Sequence, residues 1–168
     1  MYKRQGKYSA TTKINDAIEQ SNICFIIVPT PSGKNNFFIN DFVISAVESV
    51  GRALKNKNGY MNLVITSTVM PGSTGTVIKD ALEKASSRKI GDDLGLCYNP
   101  EFIALGSVVN DMLNPDMLLI GESDPKAGDM LEEIYINTVE SNPVCHRMNW
   151  INAESVSYTH LRAHETRP

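Results

Sequence analysis

Glu101 stands directly after Pro100, at the end of the apolar run LGLCYN. A carboxylate at the mouth of a buried strand suits general-base work, because burial raises its pKa toward neutrality. The same group could instead stabilise the positive end of a nearby helix. Upstream, Ser67, Thr68, Ser73 and Thr74 surround Pro71 and Gly72. No lysine follows the second glycine of that loop, so the phosphate-binding pattern GxxxxGK[ST] is not matched. Hydroxyls ahead of a helix serve as caps as well as catalysts. Val28, Pro29, Thr30 and Pro31 turn polar backbone with two prolines. That makes either a rigid wall for a flat ligand or an ordinary proline turn.

Cys24, Cys97 and Cys145 are too far apart for a zinc pattern, and their odd number in a soluble chain points to a reducing, cytoplasmic setting. His160 and His164 are four residues apart in the tail VSYTHLRAHETRP, a spacing that could present two imidazoles to a metal on a helix. Both that tail and the opening MYKRQ resemble translated sequencing-adaptor sequence. The preferred reading is that residues 1–5 and 156–168 are non-native ends, with no metal site assigned and residues 6–155 carrying the fold.

The elements that would position these groups alternate. Thr11 and Thr12 precede INDAIEQ, whose Ile14, Ala17 and Ile18 recur at helical spacing. ICFIIV, residues 23–28, is an apolar β-branched run suited to a strand buried on both faces. Asn40 or Asp41 can cap a helix with Val43, Val47, Val50 and Leu54 along one face, ended by KNKNG. LVIT, residues 63–66, predicts the next strand, and Val77, Ile78, Ala81 and Leu82 a helical stripe. LGLCYN and MLLIG predict two more strands, and VCHRM a short last one. Asp124 followed by Pro125 marks a helix start. The expected fold is α/β: a doubly wound, Rossmann-like parallel sheet, with ligands at the carboxyl ends of its strands.

Composition agrees with one globular domain: 42% apolar residues in 168 are enough for a packed core. With 16 Lys plus Arg against 19 Asp plus Glu, no basic field invites nucleic acid. The longest apolar run is far too short to cross a bilayer, and no secretory leader follows Met1. Neither nucleic acid nor membrane is therefore an expected partner.

Read together, CFIIVPTPSG, ITSTVMPGSTG and YNPEFIALGSVVNDMLNPDMLLIGES resemble the nucleotide-sugar 6-dehydrogenases, the UDP-glucose and GDP-mannose dehydrogenase family. RMNWINAE resembles the lead-in to that family's central helix, so the likeness covers nearly all of residues 6–155. It implies oxidation of a sugar's C6 alcohol to a carboxylate with two NAD in succession. An enzyme cysteine captures the aldehyde as a thiohemiacetal, and water hydrolyses the thioester that follows. By position, the resemblance assigns Val28, Pro29, Thr30 and Pro31, with Ser67, Thr68 and Val69, to the NAD site. Thr68 would also hold a catalytic water, and Glu101 would be the acid/base. Glu101, Phe102, Ile103, Ala104 and Leu105 would meet the nucleotide-sugar substrate. The family further implies a homo-oligomeric parent enzyme in the cytoplasm, serving polysaccharide precursor synthesis.

Departures from the family pattern bear on substrate and activity. Leu105 replaces a second glutamate found in many UDP-glucose members, while Phe102 departs from the PER string of N-acetylated and mannose-type members. Phe102 tilts the expectation toward a UDP-glucose-like hexose. No GxGxxG occurs, and none of the cysteines falls in the family's nucleophile motif. The family's catalytic lysine, asparagine and cysteine lie downstream of the NAE segment. The expectation is a truncated NAD-binding domain, its first βαβ half missing, inactive alone, poorly soluble and weak toward NAD. The alternative is a non-catalytic α/β module that binds nucleotide or a partner chain. A β-hydroxyacid dehydrogenase relative would share the fold but not YNPEFIALGS.

Overall fold

Three apolar runs become parallel strands in the order they occur: β1 (Ile23–Ile26), β2 (Met61–Ile65) and β3 (Leu94–Tyr98). A computed structural model describes residues 8–31, 38–102 and 106–165. Every residue of β2 and β3 is buried, as an apolar run in a parallel sheet should be. Ile26 lies opposite Ile65 and Ile65 opposite Tyr98, so the three carboxyl ends are flush. β1 is shorter than ICFIIV promised, because Ile27 is 74% exposed and Pro29 ends the ladder.

The sheet is the mostly parallel α/β sheet expected from the sequence, with one antiparallel step. β4 (Met117–Glu122) runs antiparallel to β3, and β5 (Val144–Met148) runs parallel to β4, giving the order β1-β2-β3-β4-β5. A parallel step needs a crossover that covers the sheet. Among the described residues between β3 and β4, the helix is α4 (Val108–Leu113), six residues long and burying none of them. The chain therefore turns back down the sheet. α4 itself was not anticipated.

Helices cover both faces, which makes the sheet doubly wound. On one side lie α1 (Ile14–Glu19), α2 (Asp41–Leu54), α3 (Lys79–Ser86) and α6 (Trp150–Glu165). Val43, Val47, Val50 and Leu54 of α2 join Leu82 of α3, Ala153 of α6 and the strand residues Leu63, Ile65 and Leu96 in the larger core. Each of the Val, Leu and Ile side chains, fully buried, contributes about 1.5–3 kcal/mol. α2 and α3 approach so closely that a Cβ on Gly51 would stand 2.6 Å from Ala85 Cβ. The other face has α5 (Pro125–Thr138), whose Ala127 and Leu131 pack on Val64, Cys97 and Ile120.

Local signals hold in part. Asp124 caps α5, accepting from Ala127 N at 3.1 Å with Pro125 in the first turn. Asn40 stands at the N-cap of α2 but makes no capping bond; its Nδ2 donates to Ser73 Oγ at 2.9 Å. Val77, expected on a buried stripe, is 47% exposed. Residues Thr74–Ile78 form a wider π-helical turn ahead of α3, which shifts the phase so that Ile78 and Leu82 face inward and Val77 does not. α6 continues through residue 155 without a break, and Tyr98 Oη donates to Ser157 Oγ at 3.2 Å.

Candidate functional site

The flush carboxyl ends bring together the three loops singled out by the sequence. After β1 the chain passes through Val28 to Pro31; Val28 and Thr30 are half-buried and Pro29 and Pro31 exposed. Pro31 O accepts from Ile39 N at 3.0 Å, closing the loop at its far end. Ser67 staples this loop to the next: its Oγ accepts from Val28 N at 2.7 Å and lies 2.8 Å from Val28 O. Ser67 N and Thr66 N both donate to Ile26 O. Thr68 is half-buried at the surface of the loop, whereas the Val69 side chain is committed to the core. Any ligand contact from Val69 must therefore come from its backbone.

Beyond β3, Asn99 and Pro100 are buried and Glu101 emerges. Asn99 continues the ladder by donating its N–H to Ile65 O at 2.9 Å, and its Nδ2 donates to Leu119 O at 3.0 Å. Its Oδ1 accepts from Tyr135 Oη of α5. Tyr135 also meets the Glu101 carboxyl. Loss of solvent at the Glu101 carboxyl pushes its pKa above the usual carboxylate value, and the Tyr135 hydroxyl pulls it partly back. That is the direction expected of a general base. The Phe102 ring packs edge-on against His160 of α6, with centroids 4.8 Å apart. Ile103, Ala104 and Leu105 lie outside the described residues, as do Ser32 and Gly33 and residues 1–5, while His164 falls in the last turn of α6, where only the backbone is described.

The cysteines offer no ready nucleophile. Burial pushes the Cys97 thiol up to about 12 and the Cys145 thiol up to about 11, and raises Cys24 too. Among the described residues, no group of three or more His, Cys, Asp or Glu side chains could hold a metal. No described helix is long and apolar enough to cross a membrane.

Three residues at or behind the site were not singled out in the sequence: Asn99, Tyr135 and Glu154. Tyr135 carried a faint signal, a polar tip on the inward face of α5, which a buried phenol must satisfy. Glu154 carried none. Its carboxylate is completely buried, accepting from Gly72 N at 2.5 Å and Thr74 N at 2.7 Å. The residues present fit one side of a dinucleotide. Two adjacent strand ends offer turned backbone and hydroxyls, and the buried Thr66 Oγ1 has no protein hydrogen-bond partner. A glycine-rich turn for the pyrophosphate is not in the sequence.

Known proteins share this fold. Residues 1–139 match the model of the UDP-glucose/GDP-mannose dehydrogenase family, NAD binding domain. A GDP-mannose 6-dehydrogenase of Pseudomonas syringae pv. tomato is 35% identical over 154 residues, which are 92% of this chain and 34% of that protein. The crystal structure of a ternary complex of GDP-mannose dehydrogenase from Pseudomonas aeruginosa superposes with a TM-score of 0.90 at 33% identity, covering 96% of this chain and 36% of that one. A UDP-glucose dehydrogenase from Pyrobaculum islandicum gives a TM-score of 0.84 at 28% identity, with 93% and 35% covered. The chain thus spans about a third of the length of the relatives it matches.

Proposed function

The chain belongs to the UDP-glucose/GDP-mannose dehydrogenase family, and from that premise we propose that it forms part of an NAD-dependent enzyme oxidising the C6 alcohol of a nucleotide-hexose to the uronic acid. The observation that carries the proposal is the convergence of the Val28, Ser67–Thr68 and Glu101 loops at the carboxyl ends of β1, β2 and β3, with the Glu101 carboxyl held above the ordinary carboxylate value by partial loss of solvent.

In this reading Val28, Pro29, Thr30 and Pro31 wall the cofactor on one side. Ser67 and Val69 present backbone to it from the other. NAD held there would supply the hydride acceptor for the oxidation. Glu101 moves the proton at its carboxyl, and Thr68 orients water through its hydroxyl. Phe102, Ile103, Ala104 and Leu105 contact the nucleotide sugar. Phe102 favours a UDP-glucose-like hexose, and the similarity to GDP-mannose 6-dehydrogenases makes GDP-mannose the other substrate to assay. A cytoplasmic, homo-oligomeric parent enzyme in polysaccharide precursor synthesis belongs to the same reading.

The test has two arms. The 168-residue chain is titrated with NAD, with weak binding and no turnover expected. The complete protein, obtained by sequencing across both ends of the reading frame, is assayed for NADH formation with UDP-glucose and with GDP-mannose. Turnover with either, lowered about 10²–10⁴-fold by Glu101→Gln, is the expected result. A frame that ends at Pro168 and a chain that binds nucleotide without turnover would instead establish the non-catalytic module.

A further inference from the structure

Glu154 has an environment that secondary structure does not require. It lies one turn into α6, far in sequence from residues 66–74, yet both carboxylate oxygens are occupied by backbone donors of that loop, Gly72 N and Thr74 N. A carboxylate is rarely fully buried unless it is paired or hydrogen-bonded, because desolvation opposes its charge. Here the Glu154 carboxylate accepts from two N–H groups at the start of the helical segment that begins at Thr74, the capping role that Ser73, which makes no capping bond, leaves unfilled.

We propose that Glu154 is a positioning residue, its buried carboxylate fixing the loop that places Ser67, Thr68 and Val69 at the cofactor side of the site. This rests on the reading of that loop as the NAD side. The loop is held at both ends. Ser67 ties its beginning to Val28, and Glu154 ties its end to α6. Asn40 adds a lateral bond to Ser73. Between these anchors the chain has only Thr68 to Pro71, with the Val69 side chain fixed in the core. Releasing the Gly72 end loosens the segment through Met70, and the Thr68 peptide moves only as far as the core-held Val69 and its backbone contact with the Tyr98 hydroxyl allow. α6 also carries Trp150, whose Nε1 donates to Leu96 O at 3.0 Å, so the helix that sets the loop is itself referenced to β3.

The experiment is residue-resolved hydrogen exchange and amide chemical shifts on the 168-residue chain as wild type, Glu154→Gln and Glu154→Asp. The glutamine side chain offers one acceptor where two donors converge, so exchange at Gly72 and Thr74 accelerates about ten- to a hundredfold, the equivalent of losing a charge-assisted bond. The amides of Ser67, Thr68 and Val69 shift with it, while Leu63 and Leu96 keep their protection. Glu154→Asp retains the charge and restores part of both effects. Unchanged exchange at Gly72 and Thr74 overturns the proposal. So does a change confined to residues 72–76 that leaves 67–69 unmoved, which is what a plain helix cap would give. If Glu154→Gln does not fold, Glu154→Asp decides alone: shifts at 67–69 in step with Gly72 support the proposal, and their absence overturns it. Wild-type NAD titration is read separately, since failure to bind counts against the cofactor reading and leaves the exchange result standing.

Discussion

Tyr135 has one phenolic proton and two neighbours that would accept it, Asn99 Oδ1 and the Glu101 carboxylate. Asn99 is held in orientation by its bond to Leu119 O, so its claim on the proton is constant, while that of Glu101 depends on pH. Replacing Tyr135 with Phe removes the bond that pulls the Glu101 pKa down and leaves the burial that pushes it up. The Glu101 carboxyl then titrates higher than in wild type, as followed by carboxyl carbon NMR. A carboxyl raised in the folded state binds its proton more tightly there than in the unfolded chain. Stability therefore falls as pH rises from the ordinary glutamate value through the raised one. Glu101→Gln is expected to be at least as stable as wild type at pH 7, with no advantage below pH 4, measured by thermal unfolding at both values. Glu101 and Asp124 were legible in the sequence because an adjacent proline fixes the backbone around each. Glu154 and Tyr135 were not, since each acquires its role from a loop many residues away that only the assembled sheet brings near.

Among elements, the tie between α5 and the β4–β5 pair is electrostatic on its outer side. Arg147 of β5 meets Glu122 at 2.8 Å, Asp129 at 2.5 Å and Glu132 at 3.0 Å, and donates to Pro125 O at 2.9 Å. The guanidinium is only partly exposed, so its loss leaves two carboxylates, Glu122 and Glu132, mostly shielded and unpaired. Arg147→Met is expected to cost about 1–3 kcal/mol in urea unfolding, with less effect on α2 and α3 than on α5. A second element-scale constraint is Gly95, where a Cβ would stand 2.4 Å from Tyr60 Oη, 2.8 Å from Asn62 Oδ1 and 2.9 Å from Ala127 Cβ. Gly95→Ala forces β3 and α5 apart and is expected to cost about 1–3 kcal/mol by the same measurement. The strands were legible because buried parallel strands are written as unbroken apolar runs. The reversal at β4 was not, because no local residue encodes whether the chain crosses over the sheet or turns back beside it.

Across the whole molecule the two faces of the sheet are unequally clothed. Among the described residues four helices cover one side, and α5 lies on the other. At the end of the described sheet β1 leaves Phe25 38% exposed on the thinly covered side, with Ile27 74% exposed just beyond it. An apolar strand at a sheet edge is a template for pairing with another chain. The 168-residue chain is expected to self-associate at micromolar concentration, and Ile27→Lys to shift it toward monomer, as read by light scattering on a sizing column. An unaltered distribution would place the sticky surface elsewhere. That the chain is α/β with helices on both faces was legible from its alternating runs. How completely each face is covered was not, because coverage depends on helix placement rather than on any one helix's pattern.

Trp150, Ala153, Glu154 and Ser157 meet, in turn, the Leu96 carbonyl, the core, the Gly72–Thr74 amides and the Tyr98 hydroxyl. Their spacing of three, four and seven residues puts them on one stripe, and only Asn149 separates them from the end of β5. An added or deleted residue at that joint would turn the stripe by about 100° and withdraw all of these contacts in a single step. Descendants of this sequence are thus free to exchange side chains around the joint but not to change its length. In the genetic record it should appear as a place where substitutions accumulate and gaps do not.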